Sequence, residues 1–596
     1  MRSFLLFGAV IGGALALVGA CGGSNGPCGG KFCDDTDGGG DATLDGASLP
    51  DSLFQFEGGG GDGGGCTVTC SGDMHDVIDC NNQVIQQCPA DQGCANGTCM
   101  PACQAAQTAK SSVGCDYYAV PATDYTQTCY AVYIANTWNA PVSLTVKLGA
   151  TDLTPSLSSF GYVPTGSGAS LTYTALANGQ VPVGKVGILF LSGSGCPKSV
   201  ATSTDVSKAG TQIADMFHIG SSAPVVAYDI FPYGGGSSAV ASATLLLPTS
   251  AWDTNYVATS AWSETGYGYP WIGFVAQQDG TQISIVPTAA ITAGTGVAAA
   301  AQNTLTTYNL NAGQLIRFQQ ATDLTGSIVQ SNYPIGGWGG HGCTDLEAPA
   351  CDGMHQQIPP VKALSHTYVA TRYRNRNPSV DEAPPWRFVG AVDGTTLTYD
   401  PPQSGAPTTL TQGQLVEWDA KGPFVVTSQD DKHPFFFGAH MTGCFVIGGY
   451  SSPVGCAGDP EFVDVIPPEQ WLASYVFFTD PTYPETNLVF MRKKGNDNQF
   501  HDVTLDCMGV LTGWQNVDAA GNYQFTRADV QTGNFSKVNQ CDNGIHTASS
   551  DVGFGLTVWG WGTNAASTFS EACSYAYPAG ASVQPINTVV IPPVPH

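Results

Sequence analysis

The amino-acid sequence predicts an all-β protein whose main part consists of tandem repeated β units of about 100–115 residues. From residue 115 onward, short runs rich in β-branched and aromatic residues alternate with Gly, Pro, Asn and Asp, which is typical of β structure. The stretch 313–360 is also repeated at 413–468, where the tripeptide Gly-Gln-Leu at 313 recurs at 413. A period of this length fits a small domain copied in tandem.

A third observation extends the repeat: a proline stands eight residues before a Tyr-Val pair three times, at Pro248, Pro360 and Pro467. One unit contains about seven β runs, which favours β-sandwiches. A β-propeller is the alternative, because one unit could also supply two four-stranded sheets.

Local signals add two expectations about these strands. Asp279-Gly280 and Asp393-Gly394 lie between alternating runs and predict two-residue hairpins with both turn residues at positive φ. Pro224, Pro334 and Pro434 each come just before an apolar run, so we expect each to mark a strand start, where a missing N–H costs little.

Residues 1–20 are predicted to be a signal peptide, because one positive charge at Arg2 precedes an apolar run that ends in Gly19-Ala20. The junction with Cys21 resembles the lipobox of bacterial lipoproteins, which implies acylation of Cys21 and a place at the outer membrane or cell surface. Secretion with a free cysteine is the alternative. Residues 21–65 are predicted to be a lipid-anchored disordered tether, since residues 22–65 hold sixteen glycines and eight acidic residues.

Residues 66–103 contain seven cysteines and are predicted to be a small disulfide-rich module, because the segment is too short to bury a core of its own. Zinc binding is the alternative for the pairs spaced by three residues. An odd number requires a partner outside the module, for which Cys115 and Cys129 are candidates.

Residues 104–577 are predicted to be the repeated β domain and 578–596 a Pro-rich C-terminal tail. Each unit has a cysteine pair that we interpret as a disulfide. The candidates are Cys343 with Cys351, Cys444 with Cys456, and, in the last unit, Cys507 with Cys541. His341 and His355 could complete a zinc site at the first pair, but no histidine follows Cys456 in the second copy. We therefore predict no metal and no cofactor.

Two features are candidates for ligand binding. Arg372, Arg374 and Arg376 alternate, so on a strand they would point to one face and could hold an anionic ligand; pairing with Asp381 and Glu382 is the alternative. Aromatic residues cluster at 266–273 and 558–562, either as a binding surface or as core.

The charge balance opposes binding to nucleic acid, since 20 basic residues face 47 acidic ones and the net charge is -27. The sequence has no His-Glu-x-x-His motif and no phosphate-binding loop, and we predict no catalytic residues. The remaining alternative is a secreted or surface hydrolase of glycans or peptides, whose catalytic residues could come from distant positions.

The stretches CYAVYIANTWNAPVSLTV, FHIGSSAPVVAYDIFPYGG, DLTGSIVQSNYPIGGWGGHGC and DVIPPEQWLASYV resemble the N-terminal domain of IgGFc-binding proteins. The resemblance covers roughly residues 115–575 and implies binding instead of catalysis. We therefore expect a cell-surface binding or adhesion module for a surface or extracellular protein or glycan, with membrane contact only through the N-terminal lipid.

Overall fold

The computed structural model describes residues 68–594 apart from residues 82, 122–127, 207–208, 235–239, 265, 348, 350 and 565–570. Nearly all regular structure in this part is β-strand, which confirms the all-β prediction. The predicted signal peptide, Cys21 and the predicted tether lie outside the described residues.

The cysteine-rich module consists of short strands and one helix: β1 Thr69–Cys70, β2 Asp76–Ile78, β3 Val84–Gln87, β4 Gln92–Ala95, β5 Thr98–Pro101 and α1 Ala102–Ala109. Its disulfides include Cys70–Cys94 and Cys88–Cys99. A third, Cys103–Cys115, joins the end of the module to the first β unit. The structure thus takes Cys115, and not Cys129, as the outside partner.

Four β units follow. Unit 1 contains β6 Val113–Ala119, β7 Tyr130–Asn136, β8 Val142–Leu148, β9 Thr151–Asp152, α2 Leu157–Phe160, β10 Gly161–Thr165, β11 Thr172–Ala175, β12 Gln180–Val181, β13 Val186–Ser192, β15 Phe217–Phe231 and β16 Ser242–Leu246. The strand β14 Gln212–Asp215 lies between β13 and β15 in the chain but joins the sheet of unit 2. Unit 2 contains β17 Asp253–Val257, β18 Pro270–Ala276, β19 Thr281–Val286, β20 Thr306–Leu310, β21 Gln314–Gln319, β22 Ile328–Asp345 and β23 Cys351–Ile358.

Unit 3 contains β24 Thr367–Ala370, β25 Pro385–Gly390, β26 Thr395–Asp400, β27 Thr409–Leu410, β28 Leu415–Asp419, β29 Phe424–Ser428, β30 Phe435–Met441 and β31 Glu461–Asp464. Unit 4 contains β32 Leu472–Thr479, β33 Glu485–Lys493, β34 Thr504–Leu505, β35 Gly509–Val510, β36 Gln515–Asn516, β37 Tyr523–Thr532, β38 Ser536–Lys537, β39 Gly544–Trp561 and β40 Ser574–Pro578. Three-residue 3₁₀ helices at Thr249–Ala251, Val361–Ala363 and Pro468–Gln470 open units 2, 3 and 4.

Unit 3 shows the plan of a unit most simply, because its two sheets are separate. One sheet has the order β24-β29-β26-β27 and the other the order β28-β25-β30-β31. Side chains of both sheets share one buried core, in which the rings of Trp386 on β25 and Phe424 on β29 lie 5.4 Å apart. This is a β-sandwich; nothing in the strand order supports the propeller alternative.

In units 1, 2 and 4 a single long strand, β15, β22 or β39, belongs to both sheets. Its first half pairs with the first and third strands of the unit, and its second half pairs with the second and last strands. Pro224 and Pro334 lie inside these long strands, between the two halves, and Pro434 lies between β29 and β30. The prediction that these prolines begin strands is therefore wrong for two of them. They lie where the strand leaves one sheet for the other, so the missing N–H costs no ladder bond.

The prediction of two-residue hairpins at Asp279-Gly280 and Asp393-Gly394 is also wrong. Gly280 and Gly394 have φ of +74° and +72°, but neither aspartate has positive φ. The strands on either side do not pair with each other: β18 pairs with β21 and β22, whereas β19 pairs with β20 and β22. These turns connect the two sheets of a sandwich.

The repeated Pro-and-Tyr pattern builds the same corner in units 2, 3 and 4. Each proline precedes a 3₁₀ helix, and each tyrosine hydroxyl accepts a hydrogen bond from the backbone N–H three residues earlier. The hydroxyl also donates to a carbonyl at the middle of the long strand or its equivalent. The pairs are Tyr256 with Ile335, Tyr368 with Phe435, and Tyr475 with Phe554.

The last strands of the four units meet at the centre of the molecule. β16 and β31 each pack against both β23 and β40, so the four strands form a closed ring. The amide of Gln356 on β23 donates to the carbonyl oxygens of Ala243, Phe462 and Ala576, one on each of the other three ring strands. The ring therefore has a polar, hydrogen-bonded centre.

The predicted C-terminal tail crosses several parts of the molecule. Ser582 N–H donates to the Gln470 carbonyl, and the Asn587 amide donates to the Val361 and Leu364 carbonyls. Farther along, Ile591 N–H donates to the Asn255 side chain. These contacts fasten residues 582–591 to units 4, 3 and 2 in turn.

Candidate functional site

The structure joins the cysteines that the sequence singled out: Cys343 with Cys351, Cys444 with Cys456, and Cys507 with Cys541. The first bond links the end of β22 to the start of the ring strand β23, and the second links the loop after β30 to the loop before the ring strand β31. The third lies elsewhere, between the loops that follow β34 and precede β39. In unit 4 the corresponding place at the start of β40 holds Cys573, a buried free thiol.

The three arginines do not lie on a strand, because β24 ends at Ala370 and residues 371–377 form a loop. Arg372 pairs with Asp381 at 2.9 Å and Arg376 with Glu382 at 2.6 Å, and Arg374 pairs with Glu485 and Asp529. Arg376 and Glu382 are both fully buried. The anionic-ligand hypothesis stays a prediction, since a ligand would have to displace these carboxylates.

The two aromatic stretches differ in exposure. Trp559 and Trp561 of the second stretch are buried in the core. In the first stretch Trp271 is buried, but Tyr267 is 84% exposed and Tyr269 is 48% exposed. We call residues 266–269, Gly-Tyr-Gly-Tyr, the aromatic loop. It is the part of the two stretches that is available to a partner.

The alternation of glycine and tyrosine explains how the aromatic loop is held. A Cβ on Gly266 would lie 2.7 Å from the Cys343 carbonyl oxygen, and one on Gly268 would lie 2.6 Å from the Cys343 nitrogen. Gly268 N–H donates to the Cys343 carbonyl, and Gly342 N–H donates to the Tyr269 carbonyl. The glycines thus face the backbone beside the Cys343–Cys351 disulfide, and close packing there requires them. The disulfide braces the loop from behind.

A surface groove of about 590 Å³ lies beside the aromatic loop. Tyr267 and Tyr269 form one wall, and Thr211, Thr292 and Gln320 are among the residues of the other walls. The Gln320 amide donates to the carbonyls of Ala290 and Thr322, so this side chain shapes the wall. The two phenol rings are the main exposed side chains of the groove.

A second exposed aromatic pair lies in the loop closed by Cys444–Cys456. Phe445 and Tyr450 have ring centroids 5.8 Å apart in an edge-on arrangement, and both are exposed. Gly443 N–H, at the base of this loop, donates to the Leu346 carbonyl in the loop between β22 and β23. The two disulfide loops therefore touch, and they lie at the same end of the ring, where β23 and β31 begin.

Ser242, His355 and Asp229 form a set that resembles a hydrolytic triad, and no local sequence pattern predicted it. His355 Nδ1 lies 3.0 Å from the Ser242 hydroxyl and Nε2 lies 2.7 Å from Asp229. His355 and Asp229 are fully buried, Ser242 is 1% exposed, and the Ser242 hydroxyl donates to Glu461. A buried serine whose proton is engaged by a carboxylate cannot meet a substrate, so this set ties β15, β16, β23 and β31 together instead.

The candidate metal ligands are also engaged within the chain. Cys343 and Cys351 share a disulfide, and His355 bonds Asp229. Asp506, Cys507 and His546 lie close together, but Cys507 is bonded to Cys541, which leaves only two donors. In the described residues no helix is long and apolar enough to span a membrane.

Comparison with known proteins points to one family. A family model described as IgGFc binding protein matches residues 242–560, from β16 to the end of β39. The IgGFc-binding protein of Homo sapiens is 24% identical over 325 residues, which cover 54% of this chain and 5% of the human protein. The chain thus corresponds to a small part of the length of that relative.

Proposed function

This chain belongs to the IgGFc-binding protein family, and we propose that it is an exported binding module for another extracellular protein. The aromatic loop carries the proposal. Tyr267 stands 84% exposed on a loop that is held from behind by backbone packing and a disulfide. A rigid, exposed tyrosine supplies a large contact area and loses little conformational entropy on binding, which is why such residues dominate many interfaces.

The neighbouring disulfide loop extends this surface. Phe445 and Tyr450 add two exposed rings at the same end of the ring of strands. Together the two loops present four aromatic side chains from two units, and a protein partner suits a surface of this spread better than a small ligand does. A glycan is the second partner class, because phenol rings beside a groove also suit sugar rings.

Binding can be tested with residues 68–596 on a protein array that includes the Fc fragment of immunoglobulin G, the ligand that the family name specifies, and on a glycan array. We expect saturable binding that Tyr267→Ala with Tyr269→Ala weakens at least ten-fold. Tyr333→Ala is the matched control, because Tyr333 is also exposed but lies at the bend of β22. Binding that survives the double change would remove the aromatic loop from the proposal, and turnover of a polysaccharide or peptide without saturable binding would favour the hydrolase.

We also propose that the chain is anchored by a lipid on Cys21, with residues 22–65 as the tether. The small residues Gly19-Ala20 before Cys21 support this, and the disulfides of the described part fit an oxidising compartment outside the cytoplasm. Cys21→Ser is expected to move the protein from the membrane fraction to the soluble fraction of an expressing bacterium. Unchanged sedimentation with membranes would contradict the anchor.

A further inference from the structure

A small cavity lies where the four ring strands end. Its volume is about 40 Å³, and every ring strand or the residues directly after it contribute to its wall. The contributors include Leu245 and Leu247, Gln357 and Pro359, Asp464, and Pro578. None of them belongs to the aromatic loop, so the cavity is a separate feature of the molecule.

The walls are mostly apolar, but two polar atoms in them have no partner. Asp464 Oδ1 and Gln470 Oε1 are buried, and neither has a hydrogen bond from any described residue. The Gln470 amide nitrogen donates to the Gln584 carbonyl at 2.7 Å, which fixes the orientation of the side chain. Among the described residues no lysine, arginine or histidine forms an ion pair with Asp464.

An unpartnered carboxylate in an apolar wall is costly, because burial removes its water without supplying a donor or a compensating charge. Burial accordingly raises the pKa of Asp464 well above its usual range. The cavity therefore offers hydrogen-bond acceptors. A ligand that donates hydrogen bonds would satisfy them, and a positively charged donor would also compensate the charge of the ionised carboxylate.

We propose that this cavity binds a primary ammonium group. An ammonium group has three N–H donors and no acceptor, so it can donate to Asp464 and to Gln470 and brings no acceptor that the apolar walls would leave unsatisfied. The size allows this, since about 40 Å³ of water-accessible space exceeds the roughly 10–15 Å³ that a single water needs. A trimethylated ammonium head is larger and has no N–H to donate.

Pro359, Ile466 and Ser582 of the cavity wall are only partly buried, so the cavity approaches the surface beside them. The ammonium group can thus come from a small free amine or from the end of a partner's lysine side chain. Thermal unfolding of residues 68–596 in methylammonium, n-butylammonium or Nα-acetyl-lysine amide distinguishes these sources. Potassium and tetramethylammonium at equal ionic strength are the controls.

We expect methylammonium to raise the midpoint of thermal unfolding in a saturable manner, as a ligand of the native state must, and tetramethylammonium to have no such effect. A response to butylammonium and the lysine derivative identifies an amine on a longer chain as the ligand class; a response to methylammonium alone identifies a small free amine. Equal responses to methylammonium and tetramethylammonium, or none to any amine, would overturn the proposal.

Asp464→Asn should weaken the apparent affinity for methylammonium at least ten-fold. Glu461→Gln is the matched control, because Glu461 is a buried carboxylate on the same strand that does not line the cavity, and it should keep the response. Gln470→Met provides a second variant if Asp464→Asn does not fold, and it should weaken the response while Asp464 remains. An undiminished response in both cavity variants would contradict the assignment.

Discussion

Four tyrosines occupy one position in the four units, and each hydroxyl bonds the long strand or its equivalent at the point where the strand changes sheets. Tyr117 makes this contact in unit 1, where its hydroxyl donates to the Val225 carbonyl at 2.7 Å. In units 1, 2 and 3 the acceptor is the residue directly after Pro224, Pro334 or Pro434. The proline leaves the bend without an N–H, and the tyrosine supplies the hydrogen bond that holds it.

Tyr368→Phe tests this corner. The change leaves the Ser365 N–H and the Phe435 carbonyl without their buried partner, so we expect the free energy of unfolding to fall by about 1–3 kcal/mol. Tyr399→Phe is the control in the same unit, because its hydroxyl makes a single bond to the Pro407 carbonyl from a half-buried position. Denaturant unfolding of the two variants is the measurement. The corner hypothesis requires that Tyr368→Phe lowers the free energy of unfolding more than Tyr399→Phe does.

The residues of the candidate site were only partly predictable. The cysteine spacing predicted local disulfides, and the positions of Asp381 and Glu382 made them candidate partners of the arginines. Both were predictable because the residues in contact are close to each other in sequence. The exposure of Tyr267 could not be derived, since an alternating Gly-aromatic stretch fits a core as well as a surface. Asp229, Ser242 and His355 meet only through the packing of two units, so no local pattern marks them.

At the scale of elements, the sequence pattern predicted most strands of the sandwiches but did not predict the ring strands. The ring strand β23 reads CDGMHQQI, which has neither apolar alternation nor a continuous apolar run. It is nevertheless buried from Asp352 to Ile358, because the side chains of His355 and Gln356 bond the other ring strands. The runs SIVQS and PIGGWGG, which look like two strands in the sequence, are halves of β22.

The Cys343–Cys351 disulfide should stabilise both unit 2 and the aromatic loop. Replacing both cysteines by alanine is expected to lower the free energy of unfolding by about 2–3 kcal/mol on the chain-entropy account. It should also speed amide hydrogen exchange at Gly268, whose N–H bonds the Cys343 carbonyl. Replacing Cys507 and Cys541 is the control, because that bond lies in unit 4 and should leave exchange at Gly268 unchanged. Equal exchange in the two variants would contradict the bracing role.

At the scale of the whole molecule, several buried carboxylates lie near the starts of the ring strands. Asp352 accepts from Ser574 N–H, Asp459 accepts from Cys444 N–H, and Glu461 accepts from the Ser242 hydroxyl. Burial raises the pKa of Asp352 and Glu461 well above their usual range, and the charges of Asp459 and Glu461 add to the shift at Asp352. Burial also raises the pKa of Asp459 to about 7. The folded protein thus keeps these carboxyl groups protonated at pH values at which the unfolded chain would release the protons.

These shifts predict that the protein is more stable in mildly acidic solution than at neutral pH. A carboxyl group whose pKa is higher in the folded state contributes its full stability below its unfolded pKa and loses it as pH rises through the folded value. For Asp459 this window runs from about 4 to about 7, and a shift of this size is worth roughly 4 kcal/mol. Glu382 acts in the opposite direction, because the charge of Arg376 overcomes its burial and lowers its pKa. Other carboxyl groups with a lowered pKa, such as Asp73, Asp381 and Asp506, also act in this direction, but they are exposed. We therefore expect the buried carboxyls of the ring to dominate, and the growing negative charge of a chain with a net charge of -27 at pH 7 adds to their effect.

Unfolding midpoints measured from pH 4 to pH 8 should therefore fall as pH rises. Asp459→Asn keeps an oxygen that can accept from Cys444 N–H but has no proton to lose, so its midpoint should vary less between pH 4 and pH 7. Asp279→Asn is the matched control, because Asp279 is an exposed carboxylate in a turn of unit 2, and this variant should keep the wild-type profile. A midpoint that rises toward pH 8, or an Asp459→Asn profile identical to that of the wild type, would show that the buried acids of the ring do not control the assembly of the four units.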